Sequence, residues 1–123
     1  MIYAEQGKEQ DAFIVFVEGA LGKLAKEDYT SFLSLFDRSM TEADLILCLR
    51  YLDETRSVLK IDDPAQVKSQ NQRVYIFTFR DGRGYHMDYD LTTNGEINDL
   101  TLQVEFLKEK DGYVVVLDDI HTL

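Results

Sequence analysis

From Lys8 to Lys26 the apolar residues Phe13, Ile14, Phe16, Val17, Ala20, Leu21 and Leu24 recur at three- and four-residue steps. That period puts them on one side of a helix. Gly19 and Gly22 weaken the helix and leave room for a neighbouring backbone. Asp28 is placed to cap a short second helix whose apolar content is Tyr29, Phe32, Leu33, Leu35 and Phe36. Ser39 followed by Glu42 has capping-box spacing and predicts a third helix through Leu45, Ile46, Leu49 and Leu52. Asp44 suits the first turn of that helix through its interaction with the helix dipole.

Residues 56–72 break the pattern: they hold the only proline, Pro64, after Asp62 and Asp63, and end in KSQNQ. A short extra strand near 57–61 is left open. From residue 73 the period changes to two. RVYIFTFR (73–80), YHMDYDLT (85–92), EINDLTLQVEFLK (96–108) and YVVVLDDIHTL (113–123) are separated by DGRG, TNG and EKDG. Strands joined by short glycine-containing turns pair with their sequence neighbours. The expected fold is α+β: N-terminal helices on one face of a curved antiparallel sheet of four or five meander strands. One domain spans 1–123, with a helical part at about 5–55, a connector at 56–72 and the meander at 73–123.

In YHMDYDLT, Tyr85, Met87, Tyr89 and Leu91 share one face, and His86, Asp88, Asp90 and Thr92 the other. The first set is expected under the helices and the second away from them. The second face of the sheet is expected to carry Val74, Ile76, Val114 and Val116 beside its acids.

His86, Asp88 and Asp90 look at first like a metal site, but a site needs three or four converging ligands. Their spacing matches no calcium loop or zinc motif, so no metal is expected. Tyr85, Tyr89, Tyr113, Asp119 and His121 are of the right type for acid–base work, yet each has a place in an ordinary sheet. LDDIHTL reads as a strand end with Ile120 and Leu123 packed down. There is no GxSxG, HExxH or Walker loop, and DGRG between two strands has no helix to receive phosphate. No catalytic residue and no cofactor is expected, and the chain is read as a non-enzyme.

Charge sharpens this picture. The net charge is -10, and it is unevenly spread: residues 1–80 hold 13 acids against 10 bases, whereas 81–123 hold 10 against 3. Such a field disfavours nucleic acid and anionic membranes and favours a basic partner. The single cysteine, Cys48, lies in the apolar run LILCLRYL and reads as a small buried hydrophobe in a reducing compartment. With no signal-like start and no membrane-length apolar run, a cytoplasmic location is expected.

An N-terminal helix, DYTSFLSLF as a short second helix and a curved sheet of long hairpin strands together resemble the cystatin-like group, in particular nuclear transport factor 2-like domains. Within RDGRGYHMDYDLTTNGEINDLTLQVEFLKEKDGYVVVLDDIHTL, the elements GxxYHxD, DLTL and DDIH are similar to those of small bacterial immunity proteins that protect against contact-dependent and other polymorphic toxins. The chain differs from ketosteroid-isomerase-like members in lacking a carboxylate base inside an apolar pocket. The resemblance implies a cytoplasmic protein that binds and blocks a toxin's catalytic domain. Its partner-binding candidates are His86, Asp88, Asp90, Glu96, Asp99, Asp118 and Asp119, facing a basic domain such as a nuclease. Two further readings stand beside it: a small-molecule binder or enzyme using a conical cavity between sheet and helices, and a structural module that dimerises through its open sheet face.

Overall fold

The computed structural model describes all residues, 1–123. Three helices, α1 (Glu9–Ala25), α2 (Tyr29–Ser34) and α3 (Glu42–Cys48), precede four strands, β1 (Val74–Thr78), β2 (Gly84–Thr93), β3 (Glu96–Glu109) and β4 (Gly112–Thr122). The strands form one curved, unclosed antiparallel sheet in the order β1-β2-β3-β4. This is the α+β arrangement expected from the change of period. Residues 57–61 add no strand to the sheet.

The helix starts follow local chemistry. Asp28 caps α2 by accepting from the Ser31 amide at 3.2 Å. For α3 the cap is Thr41, accepting from the Asp44 amide at 3.1 Å, and not Ser39. This helix is also shorter than its apolar spacing suggests. Tyr51 and Leu52 both take positive φ, and Leu52 is exposed instead of packed.

Inward-facing side chains of the sheet, including Met87, Tyr89, Leu102, Val104, Phe106 and Val115, meet Phe13, Val17, Leu21 and Phe32 in one buried cluster. Phe13 of α1 stacks on Phe106 of β3 with ring centroids 4.0 Å apart and meets Tyr85 and Tyr113 edge-on. Cys48 is buried, and that burial, followed by the nearby charge of Asp119, pushes its thiol pKa up.

β1 sits in the sheet with the opposite phase to the one expected. Val74 lies across from Tyr89 and Ile76 across from Met87, so both belong to the helix side, and Tyr75 and Phe77 take the outer face. The turn enforces this: Phe79 donates its amide to the Gly84 carbonyl, so the loop between them spans 80–83. Gly84 permits the next close approach. Its φ is +152°, and a Cβ there would lie 2.0 Å from the Phe106 carbonyl oxygen.

Thr92 also departs from expectation. The register shifts between Asp90 and Thr92, and both Leu91 and Thr92 are buried. The Thr92 hydroxyl donates to Asp62 at 2.9 Å, and Asp62 also accepts from the amides of Asn94 and Gly95. One carboxylate thus ties the connector to the β2–β3 turn. At the other end, Leu123 is exposed, while Ile120 is buried.

The free edge of β4 is covered from Tyr113 to Leu117. Ile2 exchanges two backbone hydrogen bonds with Tyr113, and the Arg38 carbonyl accepts from the Leu117 amide. Asp37 accepts from the Val115 amide at 2.7 Å and from the Met1 ammonium at 2.8 Å. Burial pushes the Asp37 pKa up, but these two hydrogen bonds outweigh it and leave the carboxyl below its usual value.

Two outcomes follow for stability. Asp62→Ala strips three donors of a charged acceptor and is expected to cost about 2–3 kcal/mol in urea unfolding. A folded-state pKa below the unfolded value means Asp37 stabilises the fold above the unfolded carboxylate pKa of about 3.9 and loses that effect as pH falls through the folded value. Wild type is therefore expected to exceed Asp37→Asn in urea midpoint at pH 7, with the gap closing as the pH falls below about 4.

Candidate functional site

The three helices cover one face of the sheet, and the other face carries the polar residues that the alternation assigns to it. Register sorts them into rows across the strands. Phe77, His86, Glu105 and Val116 form one row. Tyr75, Asp88, Gln103 and Asp119 form the next, and Asp90, Thr101 and His121 a third. Between Leu117 and Asp119, β4 bulges: Gln103 pairs with Asp119 and Val104 with Leu117, so Asp118 has no partner and is exposed. Leu107 and Val114 complete the face at its upper end.

Its centre is held by side-chain hydrogen bonds. His86 Nε2 lies 2.7 Å from Asp88 Oδ1, which also accepts from Gln103 Nε2 at 3.0 Å. The His86 ring stacks on Phe77 with centroids 5.0 Å apart. His121 Nδ1 lies 2.7 Å from Asp119 Oδ2. Asp90 accepts from the Arg73 amide at 3.2 Å and pairs with its guanidinium at 3.5 Å.

The expected candidates therefore fall into groups. His86 and Asp88 form one tied pair, extended by Gln103, and Asp119 with His121 forms another. Asp90 and Asp99 line a groove of about 370 Å³ together with Arg73, Ile97, Thr101, Thr122 and Leu123. Asp99 enters it from a β3 residue with φ +69°, next to Asn98, whose carbonyl accepts from the Tyr51 hydroxyl. Glu96 stands apart, opposite Thr93 at the β2–β3 turn. No three His, Cys, Asp or Glu side chains are placed to hold a metal ion.

Six members of the face carry no clear signal in the sequence: Tyr75, Phe77, Thr101, Gln103, Glu105 and Leu107. The two aromatics are the prominent ones, 56% and 52% exposed. RVYIFTFR is apolar in both phases, so its alternation does not say which phase faces out. The length of the DGRG turn carries that information, because an 80–83 loop places Phe77 opposite His86.

On the helix side, Tyr89 is buried, and its hydroxyl donates to Glu18 at 2.7 Å. Burial, then this carboxylate, pushes the phenol pKa far up, so it stays protonated as a structural donor. Glu18 in turn pairs with Lys68 of the connector at 3.1 Å. The candidate site is thus the outer face of the curved sheet, with exposed aromatics on β1 and carboxylates on β2, β3 and β4.

By fold and site the chain is an α+β domain with one covered and one open sheet face. Residues 21–123 match the family described as a domain of unknown function, DUF7668, and the chain belongs to that family. The match begins inside α1 and takes in the whole sheet. No curated protein and no solved structure matches the chain. No helix is long and apolar enough to cross a membrane.

The carboxylates of this face differ in how much structure hangs on them. Asp88→Ala leaves His86 and Gln103 without their acceptor and is expected to lower stability by about 1–2 kcal/mol. Asp118→Lys touches nothing and is expected to stay within about 0.5 kcal/mol of wild type in the same urea titration.

Proposed function

We propose that this chain is a cytoplasmic binding protein that neutralises a basic protein domain by holding it against the outer sheet face. The target class is the catalytic domain of a toxin, in keeping with the resemblance to immunity proteins, and a nuclease fits it best. The observation that carries the reading is the joint exposure of Tyr75 and Phe77 on a face that also bears Asp88, Asp90, Glu105, Asp118 and Asp119. A nuclease cleft is basic because it must hold phosphate. Carboxylates on a rigid sheet occupy such a cleft in place of the substrate's phosphates, and the aromatics supply apolar anchors beside them.

The chemistry asked of this chain is binding alone. Asp88 and Asp90 are tied within the sheet, so they contribute fixed negative field at low reorganisation cost. Glu105 and Asp118 make no side-chain hydrogen bond and are free to meet cations on the partner. Between sheet and helices, Phe13, Met87, Leu102 and Phe106 fill the centre of the layer, and a cavity of about 60 Å³ remains beside Cys48, Tyr51, Leu100 and Ile120.

The test is co-expression of the tagged chain with the product of the adjacent gene, followed by purification at low and high salt. A stoichiometric complex with a basic, growth-inhibiting domain is expected. Glu105→Lys with Asp118→Lys is expected to weaken it about tenfold or more, mainly through a slower, less salt-sensitive association. A harmless neighbour that does not co-purify would contradict the reading.

A further inference from the structure

The two edges of the sheet are unlike. β4 is covered by Ile2 and by Asp37–Arg38, but β1 is bare. The hydrogen bonds that bracket β1 fix its parity. Asp90 donates to the Arg73 carbonyl and Phe79 to the Gly84 carbonyl, so odd-numbered residues bond to β2. The N–H and C=O groups of Val74, Ile76 and Thr78 consequently point to the open edge. No loop, bulge, proline or lysine guards these residues, and a bare apolar edge of this kind is a template for another strand.

We propose that β1 is a self-association edge, where two copies of the chain pair β1 to β1, antiparallel, about a two-fold axis through Ile76. The second copy is the occupant that the edge itself describes. A strand whose free groups lie at 74, 76 and 78 meets its own symmetry mate with Val74 opposite Thr78, Ile76 opposite Ile76 and Thr78 opposite Val74. Every free group on the edge finds a partner in that register, and the contact closes after two copies. On the outer face the same register sets Tyr75 across from Phe77 of the second copy, twice, as aromatic cross-strand pairs.

Charge agrees. The net charge of -10 opposes self-association in general, but residues 73–80 contain no acid and only Arg73 and Arg80 as charges, one at each end. In this register Arg73 falls opposite Phe79 and Arg80 opposite Gln72, so no like charges meet at the join. The product is one eight-stranded sheet, its four central aromatics flanked on both sides by the acidic rows. The inference stands apart from the partner proposed above and is tested without it.

The join is small, so the expected dissociation constant is on the order of 10 µM. Sedimentation velocity of the full chain alone, from about 1 to about 200 µM, is expected to show monomer passing to dimer across that value. Tyr75→Lys combined with Phe77→Lys places like charges opposite each other at exposed positions, and is expected to move the midpoint up at least tenfold with the circular dichroism unchanged. Register is read separately by mixing Tyr75→Cys with Phe77→Cys under mild oxidation. Their Cα atoms would lie about 4.5 Å apart across the join, within disulfide range. A crosslink is expected in the mixture and not in either variant alone, and buried Cys48 does not compete. A monomer at all concentrations, a dimer indifferent to the lysine pair, or equal crosslinking in the separate variants would overturn the proposal.

Discussion

The stack of Phe13 on Phe106 is the contact on which the rest of the molecule depends. It fixes α1 across the middle of the sheet, and Tyr85 and Tyr113 close around it edge-on from β2 and β4. With α1 seated there, Val17, Leu21 and Leu24 continue the same stripe into the buried cluster that holds Met87, Leu102 and Val104. The two short helices then follow the chain to the β4 side, where Asp37 and Arg38 seal the edge. Seventeen residues of α1 and two shorter helices suffice for one face of a four-stranded sheet. The second face carries none of these helices.

That one-sidedness sets what the molecule can do. The inner layer is filled with side chains, and its one strongly perturbed polar group, the Tyr89 hydroxyl, is engaged by Glu18. The open face and the open edge gather carboxylates and exposed aromatics in one place. There the side chains are already organised: Asp88 holds His86 and Gln103, Asp90 holds Arg73, and Asp119 holds His121. A face so braced offers fixed charge and rigid aromatics to a partner with little ordering cost. Glu105 and the bulged Asp118 add charge without a structural duty.

The helices and strands were legible because their periods are clean. The α+β order followed directly from the change of period at residue 73. So did the outward set His86, Asp88 and Asp90, since Tyr85, Met87 and Tyr89 match the inner face of β3. What failed had physical causes. β1 is apolar in both phases, and only its turn length decides that Tyr75 and Phe77 face out. The bulges at Asp90/Thr92 and at Asp118 change the count of residues per strand, which alternation cannot see. Alternation puts Thr92 on the wrong face for that reason, and its burial is stabilised by Asp62 of the connector, 30 residues away in sequence. Capping at Thr41 in place of Ser39 shows how two hydroxyls at near-equivalent spacing are separated only by backbone geometry.

The central claim is that recognition belongs to the outer face of the sheet and not to the helical layer. Hydroxyl-radical footprinting of the chain with and without the captured neighbouring domain tests it most directly, because exposed aromatics mark both sides. Protection is expected at Tyr75 and Phe77, with Tyr3 and Val15 on the helical side reacting as in the free chain. Protection of Tyr3 and Val15, with Tyr75 and Phe77 still reactive, would contradict it.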